Sequence, residues 1–467
     1  MMNILPQVVF FASIFFVIYL LIYATYAFMA VAVGAYTLRT RDRMQMLKNE
    51  LKHTTIPISI IVPAYNEAAV IIKSVKSLLA LDYRVYEIVV VDDESNDETA
   101  QLLIDEFDMK IYNKPINHLL ECKPHIAVYE QKIGGIHLTL IQKLNGGKGD
   151  ALNMGINACR YPYFICMDAD SFLQKDSLEK IVQPVLEDDT IVSVGGMILL
   201  SQCVQIEDGM AVNYRLPASI LVSMQAIEYD RTFLGSRLLF DTFNGNLIIS
   251  GAFGLFKKSI VIAAGGYDVN NMGEDMELAL KTHVYCRNNN IKYRMRYAPS
   301  AVCLTQAPSR IKDLIGQRRR WHLGLFQSMR AHWQIFLSPR FGVISFLSFM
   351  YYLLYELLSP VVEVFGVLSI VLAAHLNILN VRFMIVFLIL YALYGIILSL
   401  CIYSQHIYQQ KFKLSTFDFI KAFFISLLEF TFFRYVLLFS RMLAFIRYNK
   451  NKKVWGTIKR DEESPAD

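Results

Sequence analysis

Carboxylates stand in this sequence where apolar runs end. Cys166-Met-Asp168-Ala-Asp170-Ser171 follows the apolar run Tyr163–Met167. Two carboxylates separated by one residue can hold Mg2+ or Mn2+ through oxygen ligands while the ion bridges a diphosphate and stabilises it as it leaves. Gly273-Glu274-Asp275-Met-Glu-Leu278 opens a helical stretch running towards Tyr285. An aspartate placed there can take a proton from an attacking sugar hydroxyl. Gln317-Arg-Arg-Arg320-Trp321 lies in a further helical stretch, where arginines can clamp a diphosphate and Trp321 can stack on a sugar face. Asn145-Gly-Gly-Lys148-Gly-Asp-Ala-Leu-Asn153 is a glycine-rich loop opening a helix, and its N–H groups and Lys148 can approach the same diphosphate. Asp92-Asp93 can accept hydrogen bonds from a base or ribose. Each stretch also has a structural alternative. Aspartates at helix starts and strand ends commonly cap, a glycine-rich loop can simply be flexible, and neighbouring arginines can snorkel at a membrane surface.

These residues need a frame that presents them together. Ile58-Ser-Ile-Ile-Val62 and Tyr86-Glu-Ile-Val-Val-Val91 read as buried strands, and a helical pattern from Glu67 to Leu81 lies between them. Leu138–Ile141 and Tyr163–Met167 continue the alternation. Strand–helix–strand repetition predicts a mostly parallel sheet covered on both faces, with ligands beyond the carboxyl ends of the strands. The turn after the first strand reads Pro63-Ala-Tyr-Asn-Glu67, without the GxGxxG of a dinucleotide fold, and no GxxxxGK[ST] is present. This disfavours an NAD site and excludes a P-loop.

Composition adds a membrane. The chain has 467 residues, 54% hydrophobic and 19% charged, with mean hydropathy +0.36. A soluble domain carries closer to ~25% charge. The net charge of +5 does not indicate nucleic acid. Seven cysteines (Cys122, Cys159, Cys166, Cys203, Cys286, Cys303 and Cys401) form no CxxC pair, which fits a reducing compartment and argues against a zinc ribbon or disulfide framework. Residues 1–38 hold no Asp, Glu, Lys or Arg, and Val8–Val33 is long enough to cross ~30 Å of hydrocarbon. Arg39, Arg41, Arg43, Lys48 and Lys52 follow, so the positive-inside rule delivers residue 39 onward into the cytoplasm.

The expected layout is a transmembrane helix at 1–38, a basic linker at 39–55, a cytosolic α/β domain at 56–338, membrane and interfacial helices at 339–446, and a basic cytosolic tail at 447–467. Phe341–Leu379 holds Glu356, Glu363 and Pro360, and Phe383–Tyr403 is uncharged. Acidic groups there are expected to face protein or a water-filled path. Phe417–Ile446 carries Lys421, Glu429, Arg434 and Arg441. Three crossings after residue 340 would put the basic tail outside, against the positive-inside bias. Two crossings are therefore expected, with 417–446 lying in-plane or re-entrant.

In this order, the motifs resemble those of the family-2 membrane glycosyltransferases: cellulose, hyaluronan, chitin and poly-N-acetylglucosamine synthases. The resemblance covers roughly Ile56–Trp321 and the flanking membrane segments, and the ordered set D-x-D, E-D and Q-x-x-R-W is its most specific part. It implies a GT-A-type α/β nucleotide-sugar domain inserted between transmembrane helices, in a bacterial plasma membrane with the catalytic domain in the cytoplasm. Ala64, Glu67 and Asp93 would then line a uridine pocket, with Lys148 near the nucleotide. Asp168 would contact the nucleotide diphosphate, and Asp170 would coordinate Mg2+ or Mn2+. Asp275, beside Glu274, would be the base. Gln317, Arg320 and Trp321, bordered by Ser250 and Gly251, would bind the diphosphate and the acceptor end of a growing polysaccharide.

The implied reaction is inverting, with a UDP-sugar donor and a β-linked exopolysaccharide product of the biofilm or capsule kind. The lipid bilayer is a partner, an accessory membrane subunit is left open, and nucleic acid is not expected. Gly-Glu-Asp is nearest in wording to the poly-N-acetylglucosamine branch, which favours UDP-N-acetylglucosamine or UDP-glucose. The last apolar stretch ends shortly before the C-terminus, so no cyclic-dinucleotide module is expected. Two other readings compete: a non-processive transferase acting on a lipid acceptor, and an export subunit with a degenerate transferase domain. Retention of Asp168, Asp170 and Asp275 together argues against the last.

Overall fold

A computed structural model describes residues 4–47, 55–113 and 115–446. The basic residues Lys48 and Lys52, the tail 447–467 and residues 48–54 of the linker lie outside the described residues. Along the chain come α1 (Ile4–Leu47), β1 (Ile58–Ala64), α2 (Ile71–Leu79), β2 (Tyr86–Asp92), α3 (Thr99–Glu106), β3 (Lys110–Ile111), β4 (His125–Ile133) and β5 (Ile136–Lys143). Next are α4 (Lys148–Ala158), β6 (Tyr163–Cys166), β7 (Phe172–Leu173), α5 (Ser177–Glu187), β8 (Ile191–Leu200), β9 (Val204–Glu207), β10 (Met210–Tyr214), α6 (Ile220–Arg231) and α7 (Arg237–Asp241). The chain continues through β11 (Gly254–Lys257), α8 (Lys258–Ala263), α9 (Glu274–Asn288), β12 (Arg294–Thr305) and α10 (Ile311–Ala331). Four helices follow: α11 (Ser359–His375), α12 (Val381–Gln409), α13 (Thr416–Leu428) and α14 (Arg434–Ala444).

The main sheet has ten strands in the order β3-β4-β5-β2-β1-β6-β11-β8-β12-β7. The half β5-β2-β1-β6 is parallel as the alternation predicts. Beyond it the sheet is mixed: β12 runs parallel to β8, whereas β11 runs antiparallel to both β6 and β8, and β4 to β5. The β4–β5 hairpin turns at Gly134-Gly135, both at positive φ, so no crossover helix intervenes. Period-2 geometry divides the core. Ile58, Ile60 and Val62 pack with Val75 and Leu78 of α2 on one face, while Ile61 packs with Leu152, Met154 and Ile156 of α4 on the other. These strand residues are fully buried, each contributing about 1.5–3 kcal/mol of apolar burial.

Among the described residues, three helices are long and apolar enough to cross a membrane: Leu5–Arg41, Val381–Gln409 and Thr416–Ala444. A bent pair, Ile344–Leu357 with Ser359–His375, kinks by 53° next to Pro360. Contacts set their directions. Tyr394 Oη donates to the Ala24 carbonyl and Gln405 Nε2 to that of Val31, so α1 and α12 run parallel. Tyr19 pairs with Tyr355, and Phe16 with Phe365, so α11 runs antiparallel to α1.

The stretch Thr416–Ala444 behaves differently from its length. Near its start, Lys421 Nζ donates to the carbonyls of Leu216 and Pro217 at 2.9 and 2.7 Å. Midway, Glu429 is paired with Arg231 of α6, and just past its end Phe445 packs edge-on against His322 of α10. The helix therefore touches the α/β domain at its start, middle and end, and it also packs on α11 through Arg434–Glu363. A π-turn at Glu429–Phe433 joins α13 to α14 at that middle contact.

Candidate active site

The carboxyl ends of β1, β2 and β6 open onto a cavity of about 1630 Å³. The site residues implied by the resemblance all line it: Ala64, Glu67 and Asp93; Lys148; Asp168 and Asp170; Ser250 and Gly251; Glu274 and Asp275; Gln317, Arg320 and Trp321; the buried Asp92 is not brought to it. Two loops stitched together form its rim. Asn66, at φ 57°, accepts from Asn96 N and donates its own N–H to Ser95 Oγ, while Asp97 accepts from Ala68 N. Glu67 N donates to Thr99 Oγ1 at 2.8 Å, fixing the turn beyond β1.

Asp93 is more structural than a base contact would be. Its carboxylate accepts from Lys143 Nζ at 2.6 Å, from Gly147 N at 2.7 Å and from Gly146 N at 3.1 Å, and the residue is only 3% exposed. The fully buried Lys143 is shared with Asp150 at 2.6 Å. This charge cluster, not visible in the sequence, shapes the glycine-rich loop. Gly147, at φ 89°, completes the turn into α4.

Lys148, the first residue of α4, reaches across the cavity floor. Its Nζ lies 2.6 Å from Asp168 Oδ1 and 3.1 Å from Glu274 Oε1. Burial works against that ammonium, but Asp168, Glu274 and Asp275 outweigh it and hold Lys148 protonated well above its usual range. Burial pushes the Glu274 carboxyl upward, opposed by Lys148 and reinforced by Asp275. Asp275 Oδ2 accepts from Gly251 N at 3.3 Å and its Oδ1 from Met276 N at 2.8 Å. The base candidate is thereby tied to the segment Ser250–Gly254.

Asp168 and Asp170 flank the buried Ala169 just past β6. Among the described residues, no cluster of three or more His, Cys, Asp or Glu side chains is spaced to hold a metal alone. Two carboxylate oxygens fit an ion whose shell is completed by diphosphate oxygens and water, the usual habit of Mg2+.

The three arginines of α10 diverge, as successive helical residues must. Arg318 forks onto Glu228 of α6 at 2.8 and 2.7 Å and lies 4.5 Å from the Trp321 ring centroid. Arg319 donates to the Ile446 carbonyl at 3.2 Å. Arg320 faces the cavity, where burial lowers its pKa and Glu274 opposes that effect. Trp321 stays 46% exposed, available to an acceptor. Beneath it, α9 and α10 meet glycine to glycine at Gly273 and Gly324.

The same cavity continues between the apolar helices, past Tyr19, Tyr23, Tyr355 and Tyr391. Glu363 lies 3.1 Å from Arg434, and Glu356 3.3 Å from Arg441, and all four line the cavity. Both acidic groups, expected to face protein or a water-filled path, line this cavity with an arginine partner each. Their arginine partners stand seven residues apart, on one face of α14.

The description "Glycosyl transferase family group 2" matches residues 163–402, and "Glycosyl transferase family 2" matches 59–120. The chain belongs to the family-2 group of glycosyltransferases. Poly-beta-1,6-N-acetyl-D-glucosamine synthase of Staphylococcus aureus (strain COL) is 29% identical over 268 residues, covering 57% of this chain and 54% of that protein. The synthase of the same name from Staphylococcus epidermidis is 26% identical over 330 residues, covering 70% and 67%. The match to the first of these relatives spans about half of its length. Among solved structures, a mannosyltransferase from Pyrobaculum calidifontis in complex with GDP-Man and Mn2+ aligns with TM-score 0.49 at 18% identity, covering 88% of this chain and 99% of that one. The protein is thus a family-2 glycosyltransferase with an α/β domain flanked by apolar helices.

Proposed function

We propose that this family-2 glycosyltransferase is an inverting, processive β-glycosyltransferase that polymerises a UDP-sugar, with UDP-N-acetylglucosamine the favoured donor. The observation that carries the reading is the continuity of one cavity, from the carboxyl ends of β1, β2 and β6 to the tyrosines and Arg–Glu pairs between the helices. A transferase that moves one sugar to a lipid has no need of a polar path leading away from Trp321. The choice of sugar rests on the name of the staphylococcal relatives.

In this reading the uridine sits over Ala64, Glu67 and the loop that Asp93 shapes. The acceptor's terminal sugar stacks on Trp321. Its hydroxyl loses a proton to Asp275 and attacks the anomeric carbon from the face opposite UDP. The new C–O bond forms as the C–O bond to UDP breaks, and UDP departs with the electron pair, so the product is β. Gln317 and Arg320 face the leaving diphosphate. Asp168 and Asp170 would hold a divalent ion, which when bound supplies charge stabilisation to that diphosphate.

The helices then carry a topology in which α1 enters the cytoplasm, α11 leaves, α12 returns, and α13–α14 lie along the cytosolic face. This parity keeps the basic tail inside. The test is purified protein in nanodiscs, offered UDP-glucose, UDP-N-acetylglucosamine and UDP-glucuronate with Mg2+ or Mn2+, with UDP release and product size read together. Long product from UDP-N-acetylglucosamine is expected. Turnover giving only single-sugar lipid adducts would replace this reading with the non-processive one.

A further inference from the structure

Resting on that reading of the donor site, we propose that Lys148 is an internal counter-cation. It occupies Asp168 until a nucleotide diphosphate arrives, so that divalent metal and donor bind as a coupled pair rather than independently. Three observations meet at this point. Lys148 Nζ is bonded to Oδ1 of Asp168, the first carboxylate of the D-x-D pair, at 2.6 Å. The same ammonium reaches Glu274 Oε1 at 3.1 Å, next to the base Asp275. Room for it is built in, since a Cβ on Gly251 would stand 3.3 Å from Lys148 Nζ and 3.5 Å from Asp275 Cβ.

The electrostatic consequence is direct. A divalent ion approaching Asp168 and Asp170 without nucleotide meets an ammonium bonded to one of the two carboxylates, and like charges at that range repel strongly. A diphosphate changes the balance. It brings its own negative oxygens, giving the ammonium an anionic partner in place of Asp168 within the same cavity and releasing Asp168 to the ion. Linkage then makes the effect reciprocal, so nucleotide raises metal affinity by the same factor that metal raises nucleotide affinity. Lys148 is thus a positioning residue: it sets when the carboxylates are available, and its second tether keeps Glu274 beside Asp275 throughout.

The experiment is Mn2+ titration, read by the electron paramagnetic resonance of free Mn2+, on the full chain in nanodiscs with and without UDP. Lys148→Met and Lys148→Gln are expected to bind Mn2+ without nucleotide about tenfold more tightly than wild type. The gain that UDP confers should shrink in step, while Lys148→Arg keeps the wild-type pattern. A merely structural lysine would move the value the other way. Unchanged or weaker Mn2+ binding in folded Met and Gln variants overturns the proposal. Should those variants fail to fold, wild-type structures with Mn2+ alone and with Mn2+ plus UDP decide it. Lys148 on Asp168 in the first and on the diphosphate in the second supports the proposal, and Lys148 still on Asp168 in the second overturns it. Failure of wild type to bind UDP at all would instead sink the donor-site reading, and the nucleotide-free comparison of variants would still report on Lys148.

Discussion

Substituting Gly324 by alanine separates positioning from chemistry at this site. The helix carrying Arg320 and Trp321 crosses the start of the helix carrying Asp275 at Gly324 and Gly273, with no side chain between them. A Cβ on Gly324 would lie 2.5 Å from Gly273 N and 2.6 Å from Gly273 Cα, against the 3.4 Å or more of ordinary contact, so about 0.9 Å of separation must be found. Backbone is on the receiving side and cannot rotate away. The interface is also pinned, because Met272 N donates to Gln327 Oε1 at 2.8 Å, Ser328 Oγ to the Gly273 carbonyl at 3.3 Å, and His332 Nε2 lies 3.1 Å from Glu277. Overpacking of this kind costs about 1–3 kcal/mol. A shift near 1 Å between base and acceptor platform is expected to lower turnover by up to about 100-fold. The assay is UDP release from UDP-N-acetylglucosamine in nanodiscs, paired with thermal unfolding. Gly316→Ala on the same helix is the control, because its Cβ meets nothing within 4 Å and alanine favours helix there by about 1 kcal/mol. Activity and melting temperature of Gly324→Ala matching those of Gly316→Ala would refute the idea that the glycine contact sets the site's geometry.

Three further outcomes follow from the same structure. Asp275→Asn should lower turnover by about 10²–10⁴-fold while UDP affinity, measured by calorimetry, stays within about threefold; loss of UDP binding would mean Asp275 holds the nucleotide instead. Burial lowers the His283 pKa from 6.5 to about 4, consistent with a neutral ring whose Nδ1 lies 2.6 Å from Tyr293 Oη and whose Nε2 lies 2.9 Å from the Asn246 carbonyl. The unfolded chain therefore binds the extra proton between these values, so this stability is present above pH 6.5 and is lost as pH falls towards 4, by about 3 kcal/mol at most. Thermal unfolding between pH 7 and 4 should show a flatter acid slope in His283→Gln, and an identical slope would remove the histidine from the account. Finally, Arg231→Gln strands the buried Glu429 and should cost about 3–5 kcal/mol, whereas the double change Arg231→Gln with Glu429→Gln should cost clearly less. Additive losses in the double-mutant cycle would show that this pair does not latch the Thr416–Ala444 helix to the domain.

Local signals in the sequence located the parallel half of the sheet and the chemistry-bearing turns. Ile58–Val62 and Tyr86–Val91 are apolar runs bounded by turn residues, and strands at Ile58–Ala64 and Tyr86–Asp92 follow from them. Asp168, Glu274 and Asp275 could be read because each sits where an element begins or ends. The antiparallel strand Gly254–Lys257 was not legible, since its pairing with Tyr163–Cys166 joins segments about ninety residues apart and no short pattern encodes that partner. The same holds for Lys143, which looks like one more strand residue until Asp93 and Asp150 close on it. Arg318, Arg319 and Arg320 looked equivalent in sequence and were separated by helical geometry, with one facing Glu228, one the Ile446 carbonyl and one the cavity. The hydropathy of Thr416–Ala444 says that it could span, and its contacts with Leu216, Arg231 and His322, which join segments far apart in the chain, were not legible.

The central claim is that a growing polysaccharide leaves the site through the helical arm of the cavity. Its most direct test is the structure of the protein in nanodiscs, halted during turnover by exhausting UDP-N-acetylglucosamine. Saccharide density is expected to start on Trp321 and run unbroken past Tyr355 and between Glu363 and Arg434. A product running from Trp321 straight into solvent, with lipid or water filling the space between the tyrosines, would contradict it.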